Sequence, residues 1–154
     1  MNTYKKIINK LLSKNVSISI AESCTGGALS KLFTDNPGIS KIFEMGLITY
    51  SNKSKIKVLK VSKKTIDKYG AVSEEVAKLM SKNLYKISKS KICISTTGIA
   101  GPTGNTKYKP IGLIYIGIKF KNKIKIYKKK FKGNRTIFQK KASEFCFQEI
   151  NKLI

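Results

Sequence analysis

Between residues 3 and 14 the apolar side chains Ile7, Ile8, Leu11 and Leu12 fall at helical spacing, and "VSISIA" at 16 to 21 then alternates apolar with polar as a strand does. The chain is thus expected to open helix, then strand. Residues 25 to 35 read as a second helix, stopped by the turn chemistry of "DNPG", and "FEMGLITYS" at 43 to 51 reads as a second strand. Ser62 is placed to cap a short helix that runs to Tyr69 and ends at Gly70. Ser73 caps "EEVAKLMSKNLYKIS", whose Glu74 and Glu75 suit the positive end of a helix dipole. "ICISTTG" is a third strand. The segment "GIAGPTGNTKYKPIG" from 98 to 112 holds four glycines and two prolines, so it is read as a tightly curved loop and the best loop candidate for a ligand. "LIYIGIKF" and "KIKIYKKKF" flank Lys121 and Asn122 as a hairpin, and residues 134 to 152 form a last helix after Gly133. Helices alternating with strands and closing on a hairpin predict one domain over residues 1 to 154, a three-layer α/β sandwich on a mixed sheet.

Composition changes this picture mainly by exclusion. The net charge of +24 is the usual signature of a nucleic-acid partner, but all except one of the 32 basic residues are lysine. They are scattered through every segment without interleaved stacking aromatics, which predicts solvated faces and no specific nucleic-acid site. No apolar run is long enough to span a bilayer and "MNTYKKIINKLL" lacks signal-peptide features, so a cytoplasmic protein without a membrane partner is expected. Cys24, Cys93 and Cys146 are widely spaced, without CxxC, as suits reduced thiols. With no histidine, histidine-based triads and dyads and histidine-based zinc hydrolysis are excluded, and with eight carboxylates that form no close pair a carboxylate metal cluster is not expected, so no metal or cofactor is expected. A hydrolase built from this chain has lysine, tyrosine or water as its base.

In "IAESCTGGALSKLF", positions 20 to 33, Ser23, Cys24 and Thr25 stand where an apolar strand passes into a helix, at Gly26 and Gly27. Two readings stay open from this stretch alone: a hydroxyl cap for the helix, or a nucleophile. S-x-x-K spacing decides nothing, because it occurs only at Ser54 with Lys57 and Ser88 with Lys91, no more than such a lysine-rich chain produces by chance. More informative are three polar turns, each closing a predicted strand: "AESCTGG", "TYSNKSK" and "STTGIAGP". Loops beyond the carboxyl ends of parallel strands meet at one crevice.

Taken in order, AESCTGG, DNPGISKIFEMGLITYSNKSK, GAVSEEVA, TTGIAGP and KPIG make the chain resemble the C-terminal domain of the competence/damage-inducible protein CinA, from about residue 5 to residue 150. That domain also stands alone as nicotinamide-nucleotide amidohydrolase. The resemblance implies a three-layer α/β/α sandwich with a mixed, mostly parallel sheet of about five strands, of the anticodon-binding-domain-like kind. It implies hydrolysis of nicotinamide mononucleotide to nicotinate mononucleotide and ammonia, in pyridine nucleotide salvage, without metal, and a homodimer. Carried onto this chain, Ser23 is the nucleophile and Lys55 the base, with Tyr50 and Thr97 orienting or relaying protons. Arg135, Gly26, Gly27, Gly98 and Gly101 are the expected substrate-binding residues, the N–H groups around Gly26 and Gly27 facing the oxyanion. Taken singly, each residue also has a plainer reading: Tyr50 as core, Lys55 as a surface lysine, Thr97 as a strand-end cap and Arg135 as a surface charge. Alternatives kept beside the hydrolase are a ligand-binding member of the same family with weak catalysis and a basic nucleic-acid-associated protein. One departure from the family pattern is Tyr108, which takes the place of an acidic residue before Lys109 and Pro110.

Overall fold

The computed structural model describes residues 3–154. In chain order the elements are α1 (Thr3–Ser13), β1 (Ile18–Glu22), α2 (Ala28–Thr34), a 3-10 turn (Ile39–Lys41), β2 (Phe43–Ile48), α3 (Asn52–Leu59), α4 (Lys63–Tyr69), α5 (Glu74–Ser88), β3 (Ile92–Gly98), β4 (Leu113–Phe120), β5 (Lys123–Lys130) and α6 (Arg135–Leu153). The five strands form one sheet in the order β2-β1-β3-β4-β5. β1 pairs in parallel with β2 and with β3, and β4 pairs antiparallel with both its neighbours, so β4 alone runs against the others.

Strand alternation divides the core in two. Ile18 and Ile20 of β1 and Ile92 and Ile94 of β3 face the layer of α1, α2 and α6, packing with Leu11, Leu29, Phe33, Phe138 and Phe147. Ala21 and Cys93, from the intervening positions, face α3, α4 and α5 through Leu59, Ile66, Val76, Met80 and Leu84. The three-layer sandwich expected from the alternation of elements is therefore the fold. Edge strand β5 carries outward lysines at Lys123, Lys125 and Lys128 to Lys130, which discourage pairing with another chain. Among the described residues no helix is long and apolar enough to cross a membrane.

Element boundaries differ from the sequence expectation in two places that matter. α2 begins at Ala28, not at residue 25, and its cap position is Gly27 in the left-handed region with no side-chain cap; the Ser23 and Thr25 hydroxyls bond instead to Tyr50 O and Thr96 Oγ1. The second strand ends at Ile48 and not at residue 51, and the expected polar turn "TYSNKSK" leads straight into helix α3, with Ser51 as its cap, Oγ accepting from Ser54 N–H at 3.0 Å. Periodicity missed α3 because one of its inward positions is a lysine: Lys55 and Leu59, one turn apart, are its buried residues.

Candidate functional site

The carboxyl ends of parallel β1, β2 and β3 point the same way, and the turns beyond them, with the first residue of α6, enclose a crevice of about 420 Å³. Its lining includes Ser23, Tyr50, Lys55, Thr97, Gly98, Gly101 and Arg135. Ser23 is the first residue after β1. Its N–H donates to Thr96 O at 3.1 Å, which prolongs the β1–β3 ladder by one step and keeps the alternation running. Ser23 therefore faces α3, the opposite side from Glu22.

From the first turns of α3, Lys55 Nζ donates to Ser23 Oγ at 3.0 Å and to the backbone carbonyl of Tyr50 at 3.0 Å. Ser23 Oγ lies 3.4 Å from the same carbonyl. Lys55 is 1% exposed, and no carboxylate pairs with it among the described residues. Burial lowers its pKa from 10.5 to about 8, because the charged ammonium has lost its water; the nearby Cys24 sulfur acts in the other direction and is the lesser cause. Burial also pushes that thiol up to about 12, so it stays uncharged at neutral pH and leaves Lys55 without a counterion. A serine hydroxyl in contact with an amine that is partly free at neutral pH is a nucleophile beside its base.

Tyr50 contributes differently from its expected role. Its main-chain carbonyl orients Lys55, while the residue is 57% exposed and its hydroxyl accepts from Arg135 Nη1 at 3.3 Å. Thr97 lines the crevice, but its hydroxyl donates to Ala71 O at 2.7 Å, tying the linker between α4 and α5 to β3. Arg135 opens α6, where Asn134 Oδ1 accepts from Ile137 N–H at 2.9 Å, and its Nε donates to Gly101 O at 3.0 Å. The guanidinium thus bridges the loops after β2 and β3 across the mouth.

Gly98 and Gly101 line the crevice; Gly26 and Gly27 do not. A Cβ on Gly98 would stand 2.6 Å from Leu113 O, so glycine is needed there for the strands to approach. The N–H of Gly26 donates to Ser23 O at 3.0 Å and that of Gly27 to Glu22 Oε2 at 3.1 Å. Both are occupied within the turn, which corrects their expected use as oxyanion donors. Cys24 lines the crevice directly after Ser23, and its N–H is taken by no backbone carbonyl among the described residues. That donor was legible only in the backbone, since any residue supplies an N–H. Lys57 is exposed and Ser54 is half-buried, its hydroxyl donating to Ser51 O at 2.8 Å, while Tyr108 is 82% exposed and outside the crevice lining, so its departure from the family pattern does not reach the site. No group of three His, Cys, Asp or Glu side chains able to hold a metal ion occurs among the described residues.

Fold and crevice define a class: a three-layer α/β protein with a serine–lysine pair at the carboxyl ends of its parallel strands. The chain belongs to the CinA C-terminal domain family, whose model matches residues 2–154. A CinA-like protein of Fusobacterium nucleatum is 48% identical over 153 residues, which cover 99% of this chain and 37% of that one. The chain spans little more than a third of the length of the curated relatives it matches first. Crystal structures of a competence-damaged protein (CinA) superfamily protein from Klebsiella pneumoniae (TM-score 0.93, 26% identity, 99% of this chain and 97% of that one) and of the competence/damage-inducible protein CihA from Agrobacterium tumefaciens (TM-score 0.93, 29% identity, 98% and 93%) share the fold.

Proposed function

We propose that the protein hydrolyses the carboxamide of nicotinamide mononucleotide to nicotinate mononucleotide and ammonia, with Ser23 as nucleophile and Lys55 as base. The observation that carries this reading is the 3.0 Å contact between Ser23 Oγ and a buried lysine that has no carboxylate partner among the described residues. Free Lys55 amine takes the Ser23 proton as Oγ attacks the amide carbon. The cationic pyridinium withdraws electrons from that carbon, so modest activation of the serine suffices. The oxyanion falls beside the Cys24 N–H; one such donor is worth roughly 2.7–4 kcal/mol in comparable sites. Collapse breaks the C–N bond, Lys55 returns its proton to the departing nitrogen, and ammonia leaves. Water, deprotonated by the same amine, then attacks the acyl-serine and frees Ser23.

The remaining crevice residues suit the rest of the substrate. Arg135 presents the guanidinium N–H groups not used on Gly101 and Tyr50, a planar donor set for a phosphate, and the exposed Tyr50 ring lies beside it. Incubation with nicotinamide mononucleotide, reading ammonia release and acid product, tests the reading. Turnover lost in both Ser23→Ala and Lys55→Met supports it; a folded wild-type protein that releases no ammonia overturns it.

A further inference from the structure

Glu22 adjoins the nucleophile and yet takes no part in the chemistry above. It is fully buried, and among the described residues its carboxylate meets no lysine or arginine. Instead it accepts four hydrogen bonds from the start of α2. Oε1 accepts from Ser30 N–H at 2.8 Å and Ser30 Oγ–H at 2.6 Å, and Oε2 from Gly27 N–H at 3.1 Å and Leu29 N–H at 3.2 Å. Three of the four, the N–H groups of Gly27, Leu29 and Ser30, are donors that a helix leaves unpaired at its start, and α2 has no side-chain cap at its own cap position. The cap comes from the preceding strand, five to eight residues back in the chain.

A cap in this place also fixes the turn that holds the nucleophile. Residues 23 to 26 form a closed loop between the end of β1 and the start of α2, with Gly26 N–H returning to Ser23 O. On one side of this loop the Glu22 carboxylate is locked to α2; on the other, Ser23 N–H is locked to Thr96 of β3. Adjacent side chains of an extended segment point to opposite faces, so rotation of the strand end that released Glu22 from α2 would swing Ser23 Oγ away from Lys55. We propose that Glu22 is a positioning residue, whose four-fold hold on α2 aims Ser23 Oγ at Lys55 Nζ. The proposal rests on reading Ser23 as a nucleophile, but not on the identity of its substrate.

Glu22→Gln tests it, because one carboxylate oxygen is replaced by an NH₂ that faces N–H donors. The probe is phenylmethylsulfonyl fluoride, whose sulfonylation of Ser23 reports nucleophilicity without any substrate, measured from pH 6 to 10 alongside kcat and KM for nicotinamide mononucleotide. In Glu22→Gln, labelling per folded molecule and kcat are expected to fall together by tenfold or more, with KM within threefold and the pH midpoint of labelling unchanged. Ser30→Ala removes only the hydroxyl bond and serves where Glu22→Gln does not fold; it is expected to slow labelling about threefold. A Glu22→Gln that melts earlier but labels at the wild-type rate while folded, or an unfoldable Glu22→Gln with Ser30→Ala labelling at the wild-type rate, overturns the proposal and leaves a purely structural cap. Wild-type protein that labels no faster than Ser23→Ala overturns the nucleophile itself, and the proposal with it. Labelling at Ser23 without ammonia release sinks only the deamidation reading.

Discussion

Lys55 Nζ stands 3.0 Å from Ser23 Oγ across 32 positions of sequence, brought there because β1 and α3 meet at the same end of the sheet. Specificity for this one lysine is the first expectation. Lys55→Met should lower ammonia release by 100-fold or more, within the usual range for a general base. Lys53→Met and Lys57→Met, on the exposed face of α3, should leave it within twofold. Similar losses at all three would assign the effect to the charge field.

The pH dependence follows from the same burial. With the Lys55 pKa lowered to about 8, the free amine is the minor form at pH 7, so kcat/KM should climb with pH and level off above about 8. A profile that is flat between pH 6 and 9 would remove Lys55 from the base role.

The same burial costs stability at neutral pH. Below about pH 8 the lysine is charged in both folded and unfolded chains, and its desolvation penalty is fully present. Between about 8 and 10.5 the unfolded chain holds more protons, so this group's contribution improves as pH rises through that window. Lys55→Met removes the penalty, so the variant should melt several degrees higher than wild type at pH 7, with the gain shrinking toward pH 10. Thermal melts at the two pH values check this; a lower melting temperature at pH 7 would contradict it.

Arg135 is the single arginine of the chain, and the structure uses its fork on two loops at once. Lysine keeps the charge but cannot hold Gly101 O, Tyr50 and a phosphate together. Arg135→Lys is expected to raise KM for nicotinamide mononucleotide tenfold or more and to change turnover of nicotinamide riboside far less. Equal losses on the two substrates would move Arg135 from phosphate recognition to loop bracing.

The basic surface yields a further expectation. Its lysines lie on exposed faces of most elements, so affinity for nucleic acid should fall steeply as salt rises and show no sequence preference. Fluorescence anisotropy with unrelated oligonucleotides would show this; tight, selective binding persisting at about 0.2 M salt would contradict it.

The alternation of apolar positions was enough to read the sandwich, the terminal hairpin and the caps at Ser62 and Ser73, since these follow from local periodicity and turn chemistry. Ordered motifs marked Ser23, Lys55 and Arg135. Local sequence was silent where a residue acts against its own pattern. Lys55 sits on the buried face of α3, and a charge at an inward position hides a helix from any hydrophobic count. Tyr50 serves through its carbonyl, an atom that every residue has, and Glu22 caps a helix that starts six residues later. The two adjacent side chains Glu22 and Ser23 were bound to face apart by strand geometry alone. Only the order β2-β1-β3 and the helices laid on either face decided that one would meet α2 and the other a lysine, because pairing of distant segments is settled by burial across the whole sheet.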